Sequence, residues 1–442
     1  MVGRERAIEL LERVLRLTEA DQVEGTMRTR ENYLTRYANN AIHQNIAQSD
    51  ATLQIKAVLG KKVGIATTNS LEDEDLARAA AQAVATAKLQ KDNPQFVSLA
   101  QPTPIAEAKT YYEETAGLTP EDRARLVLDI CRQADQAGLE AAGAVSSSIN
   151  ELAIANSLGV RAYAPITSSG VTAVIMSPTG SGFAEASSRN AADLNATAVG
   201  EEAIARCQAN QSPIDFDPSE MEVILSHYAV AELLGYLNYM GFGALPFQEG
   251  RSFMAGKLSQ KVMDEKLTIW DDGLDPAGAP MPFDFEGVGK QKVVIIDKGV
   301  ANAVVYDSFT AHREPGKRST GHSNGRFSAS AMNLFIASGT ATEQEMIAQT
   351  KRGIYVTRFH YIRPIHPART IITGMTRDGA FLVEDGRITS PVKNLRFTQS
   401  IVEAFSHVDL VGKETRLLGE FALSRVPMLK LARFNFTGKT AH

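Results

Sequence analysis

The stretch VILSHYAVAELLGYL, residues 223–237, carries a histidine and a glutamate, His227 and Glu232, where an apolar strand-like run meets a helix-like run. An imidazole nitrogen and a carboxylate oxygen are donor types that suit zinc or iron. On a regular helix each residue turns by roughly 100°, so a spacing of five separates two side chains by about 140°. The two share one ion only where the helix bends or ends between them. The residues alone therefore read as a structural pair, with metal ligation by His227 and Glu232 as the sharper alternative.

Other residue groups invite the same test. His312 and His322 flank the loop AHREPGKRSTGH, and His360 and His366 flank HYIRPIH. Six residues of extended chain span about 20 Å, so two such ends meet at one ion only if the segment turns back. Pro364 makes regular ladder pairing of HYIRPIH unfavourable. Hydrogen-bonded or surface loop histidines are expected here. Arg313, Lys317, Arg318 and Arg326 make a local basic stretch that reads as a solvated loop. Asp271, Asp272 and Asp275 lack the glycine and the closing glutamate of a calcium loop and read as turn-forming aspartates. Ser319-Thr320-Gly321 is not a nucleophile elbow. GFGALPFQEG, 241–250, lacks the Lys-Ser/Thr ending of a phosphate loop.

The elements that hold these residues follow from periodicity. Residues 4–20 carry Ala7, Leu10, Leu11, Val14 and Leu15 on one helical face. Between 23 and 68 the period shortens, and TLQIKAVLGKKVGIATTN reads as strands of a hairpin or meander. Ser70 is placed as the cap of an Ala-rich helix with acidic residues in its first turn. Residues 91–117 read as a connector. Thr119-Pro120 opens the next helix with proline at its first position. Residues 140–178 read as strands and 188–210 as a helix crossing the sheet. After a linker at 211–220 and a helix at 227–240, short strand-like runs dominate, with one more helix at 342–352. The expectation is an α+β chain with two domains. Residues 1–212 form an α+β domain with helices on an antiparallel-rich sheet. Residues 213–442 form a mainly β domain of sandwich or barrel type.

Composition narrows the function classes. The 442-residue chain is 44% hydrophobic with a formal net charge of −5, which gives no electrostatic reason to expect nucleic-acid binding. The two cysteines, Cys131 and Cys207, sit in separate helix-like segments outside any CxxC pair. They read as buried free thiols in a reducing compartment. MVGRERAIELLERVLRL lacks the uninterrupted apolar core of a signal peptide. No run approaches the ~18 apolar residues of a membrane span. A soluble, cytoplasmic protein is expected.

Several runs in the second half, in their order, resemble the TldD/PmbA family, a family of zinc metallopeptidases once described as modulators of DNA gyrase. They include GRSFMAGKLSQKV (250–262), LTIWDDGLDPAG (267–278), FDFEGVG (283–289), YDSFTAHREPGKRSTGHSNG (306–325), GAFLVEDGRITSPVKNLRFT (379–398) and VPMLKLARFNFTG (426–438). The first half matches more loosely. The resemblance implies HExxxH on the helix after the first strand of the second domain, with a late cysteine as third ligand. That set leaves one zinc position for water and sets a glutamate beside it as general base. Laid on this chain, the first histidine is His227. The glutamate position holds Tyr228, the second histidine position holds Glu232, and the cysteine position falls on Val411. A phenol with an ordinary pKa of about 10 is no substitute for a carboxylate base at neutral pH, and valine has no donor atom.

The resemblance is strongest to the PmbA/TldE type, which lacks the ligands. It implies a non-catalytic subunit of an intracellular metallopeptidase complex, acting on unfolded or flexible peptides, including leader segments of modified peptide precursors. Zinc would sit in a TldD-like partner and no cofactor in this chain. The partner is a homologous subunit or a second copy, with no nucleic acid and no membrane. The residues expected near a substrate cavity are His227, Tyr228 and Glu232, with His312, Arg318 and His322 from the long loop. Two other readings stand beside it. One is an independent homodimeric hydrolase using His227 and Glu232. The other is a binding or regulatory module without catalysis.

Overall fold

Alternating polarity between residues 22 and 188 builds one six-stranded antiparallel sheet. A computed structural model describes residues 1–419 and 423–440. Strands β1 (Gln22–Ala38), β2 (Ala41–Leu59), β3 (Lys62–Thr68), β4 (Glu140–Asn156), β5 (Arg161–Met176) and β6 (Ser181–Ser188) lie in the order β3-β2-β1-β4-β5-β6. Helices α1 (Arg4–Leu17), α2 (Asp73–Leu89), α4 (Pro120–Gln136) and α5 (Ala196–Ala209) pack on it, and a single turn, α3 (Glu113–Ala116), precedes α4. Strand alternation sends Met27 into the core beneath α1 and α2 and turns Arg28 to the opposite face. Gly64 of β3 lets α2 approach closely. A Cβ there would stand 2.2 Å from the Ala83 carbonyl oxygen.

The helix starts show how caps compete. Thr119 closes a full capping box with Asp122, and Pro120 takes the first helical position, as the sequence indicates. Ser70 does not cap α2. Its hydroxyl accepts from Glu72 N in a turn, and the helix starts at Asp73 behind Glu72. The acidic residues Asp73, Glu74 and Asp75 then fill the first turn, where the helix dipole favours them. Helix α5 starts at Ala196, later than its alanine-rich sequence indicates, because β6 runs to Ser188 and Asn195 supplies the cap.

The second half is mainly β. Its strands are β7 (Glu220–Leu225), β8 (Ile269–Asp271), β9 (Val293–Asp297), β10 (Val300–Ala301), β11 (Leu334–Ile336), β12 (Arg352–His366), β13 (Ile371–Glu384), β14 (Arg387–Val392), β15 (Leu395–Ser400), β16 (Val408–Leu418) and β17 (Ser424–Lys439). They form a mixed sheet in which β17, β15, β13, β12 and β7 pair in a circuit that closes through β7 and β17. Phe359, Phe397 and Phe434 pack together inside it, with centroid separations of 4.6 to 5.7 Å. IITGM and GAFLVE lie in one continuous strand, β13. Pairing of β12 is broken by register shifts on both sides of Pro364, as a missing amide requires.

Short helices α6 (His227–Leu237), α7 (Ala244–Gln248), α8 (Ser308–His312), α9 (Glu343–Ala348) and α10 (Ile401–Phe405) punctuate this sheet. α6 is buried along most of its length and packs across β12 and β17. The two halves meet where β6 and α5 touch β13 and β16. There Ser181 Oγ donates to Asp378 at 2.7 Å, and Arg358 bonds the same carboxylate while lying 4.1 Å over the Phe183 ring. Cys131 and Cys207 are both buried and unpaired. Among the described residues no helix is long and apolar enough to cross a membrane.

Candidate functional site

The junction of β7 and α6 fixes His227. Ser226 ends the strand, its amide donates to Val356 O, and its side chain accepts from Tyr228 N as the helix cap. His227 then faces a cavity of about 230 Å3 whose lining includes Arg206, Thr342, Tyr355, Lys413 and Arg416. Its Nε2 lies 3.2 Å from the Glu414 carbonyl oxygen. A carbonyl only accepts, so Nε2 carries the proton and the ring is the neutral tautomer. Burial, reinforced by the Arg416 charge, pushes the imidazole pKa down to about 4.

Tyr228 points from the next position into a charged cluster at the junction of the two halves. Its hydroxyl donates to Glu202 Oε1 at 3.1 Å and accepts from Arg416 Nη1 at 3.0 Å and Glu185 N at 3.2 Å. Glu202, on α5, also takes Arg206 at 2.8 Å and Arg416 at 2.8 Å. Burial and the Glu202 carboxylate raise the phenol pKa above its ordinary value, so Tyr228 stays protonated. Desolvation lowers both guanidinium pKa values, but Tyr355 and Glu202 raise that of Arg206 and Glu202 raises that of the partly buried Arg416, so both stay charged.

Glu232 goes elsewhere. Its Oε2 accepts from Phe359 N at 2.8 Å, just past the point where β7 stops pairing with β12. It satisfies a strand amide and does not line the His227 cavity. α6 runs regularly through both positions, so the wide angular separation expected from their spacing is realised. Val411 lies on β16, 7% exposed, with its carbonyl taken by Ala341 N.

The loop residues separate as well. His312 and Arg318 are exposed at and beyond the end of α8, and His360 and His366 are exposed along β12. His322 is fully buried and directs Nε2 to Asp271 Oδ1 at 2.8 Å. Asp271 is therefore no turn residue. It ends β8, and its other oxygen accepts from Asn333 N at 2.6 Å. Asp272 and Asp275 do close turns, onto Leu274 N and Ala277 N.

Sequence reasoning missed Glu202, Arg206 and Arg416. The spacing of Glu202 and Arg206 was the available signal, since residues four apart pair on a helix. It also missed a second buried polar cluster. Glu24 and Lys56 are cross-strand neighbours joined at 2.7 Å, both almost fully buried. The FDFEGVG turn adds Glu286, which accepts from Ser308 N, and Asp284, which accepts from Glu286 N, Val288 N and Ser323 N. Gly287 makes that turn with φ at 74°. Burial drives the Glu286 carboxyl up to about 8, with the nearby Asp284 and Asp307 adding to it.

Residues 218–438 match the PmbA/TldA metallopeptidase C-terminal domain, residues 27–87 match domain 1, and residues 113–210 match the central domain. The chain belongs to the PmbA/TldA metallopeptidase family. A protein of Methanocaldococcus jannaschii is 27% identical over 61% of this chain and 63% of its own length. The metalloprotease PmbA of Escherichia coli O157:H7 is 26% identical over 53% of this chain and 50% of its own. These matches span less than two thirds of each relative. The crystal structure of TldE from Thermococcus kodakarensis superposes with a TM-score of 0.89, at 22% identity, over 98% of this chain and 100% of that one. That likeness is one of fold.

Zinc is the metal that family membership implies, and the residues here do not fit it. His227 has its Nε2 proton engaged by Glu414 and a guanidinium group close by. Tyr228 is locked to Glu202 and Arg416, Glu232 faces β12, and Val411 offers no lone pair. Among the described residues no three His, Cys, Asp or Glu side chains converge as a metal site. A cation entering beside Arg206 and Arg416 would also meet like charge.

Proposed function

We propose that this chain is a non-catalytic, TldE-like subunit of an intracellular, cytoplasmic metallopeptidase complex. Catalytic zinc would lie in a homologous subunit that carries intact HExxxH and the late cysteine. One observation carries the reading. At the positions where the family motif requires a base and two further ligands, Tyr228, Glu232 and Val411 are each committed to structural roles. The proposed role is to complete and shape a substrate chamber. The outer part of β2, residues 41–52, supports a substrate of extended peptides. β3 pairs only with 53–59, which leaves one edge of β2 unpaired among the described residues. A peptide can add to such an edge through main-chain hydrogen bonds without regard to sequence.

The test is co-expression with a family member that has the complete motif. The expected result is a stable heterodimer with one zinc per pair and peptide hydrolysis that needs both chains. Stoichiometric zinc or iron in this chain alone, lost in His227→Ala, would overturn the proposal and favour an independent hydrolase. A stoichiometric complex with a non-peptidase protein would favour a binding module.

A further inference from the structure

The face of the first sheet opposite its helices carries a cleft of about 680 Å3, closed on the other side by segments around Phe285 and Arg326. Arg28 and Arg30, two apart on β1, point to the same side of the sheet, and Arg326 approaches from the loop after His322. Arg28 lies 4.3 Å over the Phe285 ring, and its Nη2 sits against Gly325. Among the described residues none of these three arginines has a carboxylate partner. Arg30 and Asp50 are cross-strand neighbours without an ion pair. Glu151, the other acid in the lining, is already used by Val2 N, Gly3 N, Thr29 and Tyr163. Arg189 also lines the cleft. It spends its Nη atoms on the carbonyls of Thr167, Ala279 and Pro280, and its buried Nε has no partner.

All three side chains are exposed, so solvent screens their mutual repulsion, but their clustering without a carboxylate partner makes this wall of the cleft electropositive. Partial desolvation in the cleft, then the neighbouring charges of Arg30 and Arg326, lower the Arg28 pKa although the residue keeps contact with solvent. Guanidinium forks match a planar oxyanion in bidentate fashion. Position decides which oxyanion. Asp50 and Thr52 belong both to the cleft lining and to the unpaired edge of β2. A strand added along that edge would run its end or its side chains into the cleft.

We propose that Arg28, Arg30 and Arg326 form a carboxylate subsite for an extended peptide. The carboxylate is the peptide's C-terminus or an acidic side chain. This rests on the peptide-chamber reading above. The test uses the full chain and fluorescent pentapeptides in three forms, titrated by anisotropy: free acid, C-terminal amide, and amide with one internal glutamate. The free acid should bind about tenfold tighter than the plain amide, the worth of a charge-assisted hydrogen bond. Arg28→Gln and Arg326→Gln should each erase that difference. Arg326 is exposed, so its replacement leaves the fold intact. Tighter binding of the free acid alone assigns the site to the C-terminus, tighter binding of the glutamate amide alone assigns it to a side chain, and equal gains show that it takes either carboxylate. Equal binding of the acid, the plain amide and the glutamate amide overturns the subsite and keeps the peptide reading. Titration with succinate separates the remaining cases. Succinate binding that Arg28→Gln abolishes, with no peptide bound, keeps the anion site and overturns the peptide reading. No binding of succinate or free acid overturns the subsite.

Discussion

Arg416 Nη1 lies 3.0 Å from the Tyr228 hydroxyl, and both groups hold the same Glu202 carboxylate. Tyr228 is thus part of the clamp between α5 and the second half of the chain. Tyr228→Phe removes a hydroxyl with three partners but leaves the Glu202 ion pairs in place. The expected loss of unfolding free energy is about 1–2 kcal/mol. Glu202→Ala strands two cations, but the Arg416 side chain keeps 39% exposure, so solvent screens part of the loss. About 2 kcal/mol is expected there rather than the ~3–5 kcal/mol of a fully buried pair. Urea unfolding of both variants checks this, and an unmoved midpoint for Glu202→Ala would remove the clamp from the account.

His227 gives a pH signature. Its folded pKa of about 4 lies below the 6.5 of a free imidazole. The unfolded chain then binds the proton more readily, so stability is complete above pH ~6.5 and is lost as pH falls toward about 4. The full loss from this one group is about 3 kcal/mol at most, taking 1.36 kcal/mol per pKa unit. His227→Gln keeps a donor for Glu414 O and should flatten this part of the profile. Arg416→Met should raise the His227 pKa, because the guanidinium charge helps to lower it. Proton NMR titration of the imidazole reads both, and an apparent pKa near 6.5 in the wild type would refute the buried neutral ring.

Glu286 works in the opposite direction. Its folded carboxyl titrates at about 8, against 4.5 for the free group. Between those values the folded state holds a proton that the unfolded state has released. Stability therefore falls as pH rises from about 4.5 to about 8, then levels. Glu286→Gln keeps an oxygen acceptor for Ser308 N and removes the titration. The variant should match the wild type near pH 4.5 and exceed it by at least about 1 kcal/mol at pH 9, one pKa unit's worth. Parallel stability curves across that range would show that Glu286 is ionised in the folded chain.

Local pattern made much of the fold legible. The hairpin β2–β3, the Thr119-Pro120 start of α4 and the strand-to-helix junction at Ser226 were all readable, because caps and alternation act between residues a few positions apart. The relation of His227 to Glu232 was readable for the same reason, being a matter of helix angle. What was hidden acts across the chain. Tyr228 and Arg416 are 188 positions apart, and Asp271 and His322 are 51 apart. Neither pair leaves a periodic trace. Ser70 misled because a serine followed by acids suits both a cap and a preceding turn, and the turn won. The buried Glu24–Lys56 pair sits on an alternating strand, where a charge ordinarily signals the solvent face. Packing of the second half over that face reversed the inference.

The Asp271–His322 pair supplies the sharpest stability test, because neither side chain retains any exposure. Burial alone would raise the Asp271 carboxyl, but His322, Lys290 and the Asn333 amide together hold it down to about 2. Burial and Lys290 lower the His322 pKa, so the ring is neutral and donates Nε2–H to an ionised aspartate. Lys290, itself buried, is the compensating charge. Asp271→Ala would remove one of the buried carboxylates near Lys290 and leave two donors, His322 Nε2–H and Asn333 N–H, without an acceptor. A loss of about 3–5 kcal/mol is expected. Asp271→Asn keeps an acceptor but not the charge and should cost less, about 1–3 kcal/mol. His322→Ala removes a donor and opens a cavity while Lys290 remains, so its cost should lie between the two. That ranking separates a charge-centred account from a packing-centred one. If His322→Ala proves the most damaging of the three in urea unfolding, cavity formation rather than the aspartate charge governs this part of the fold.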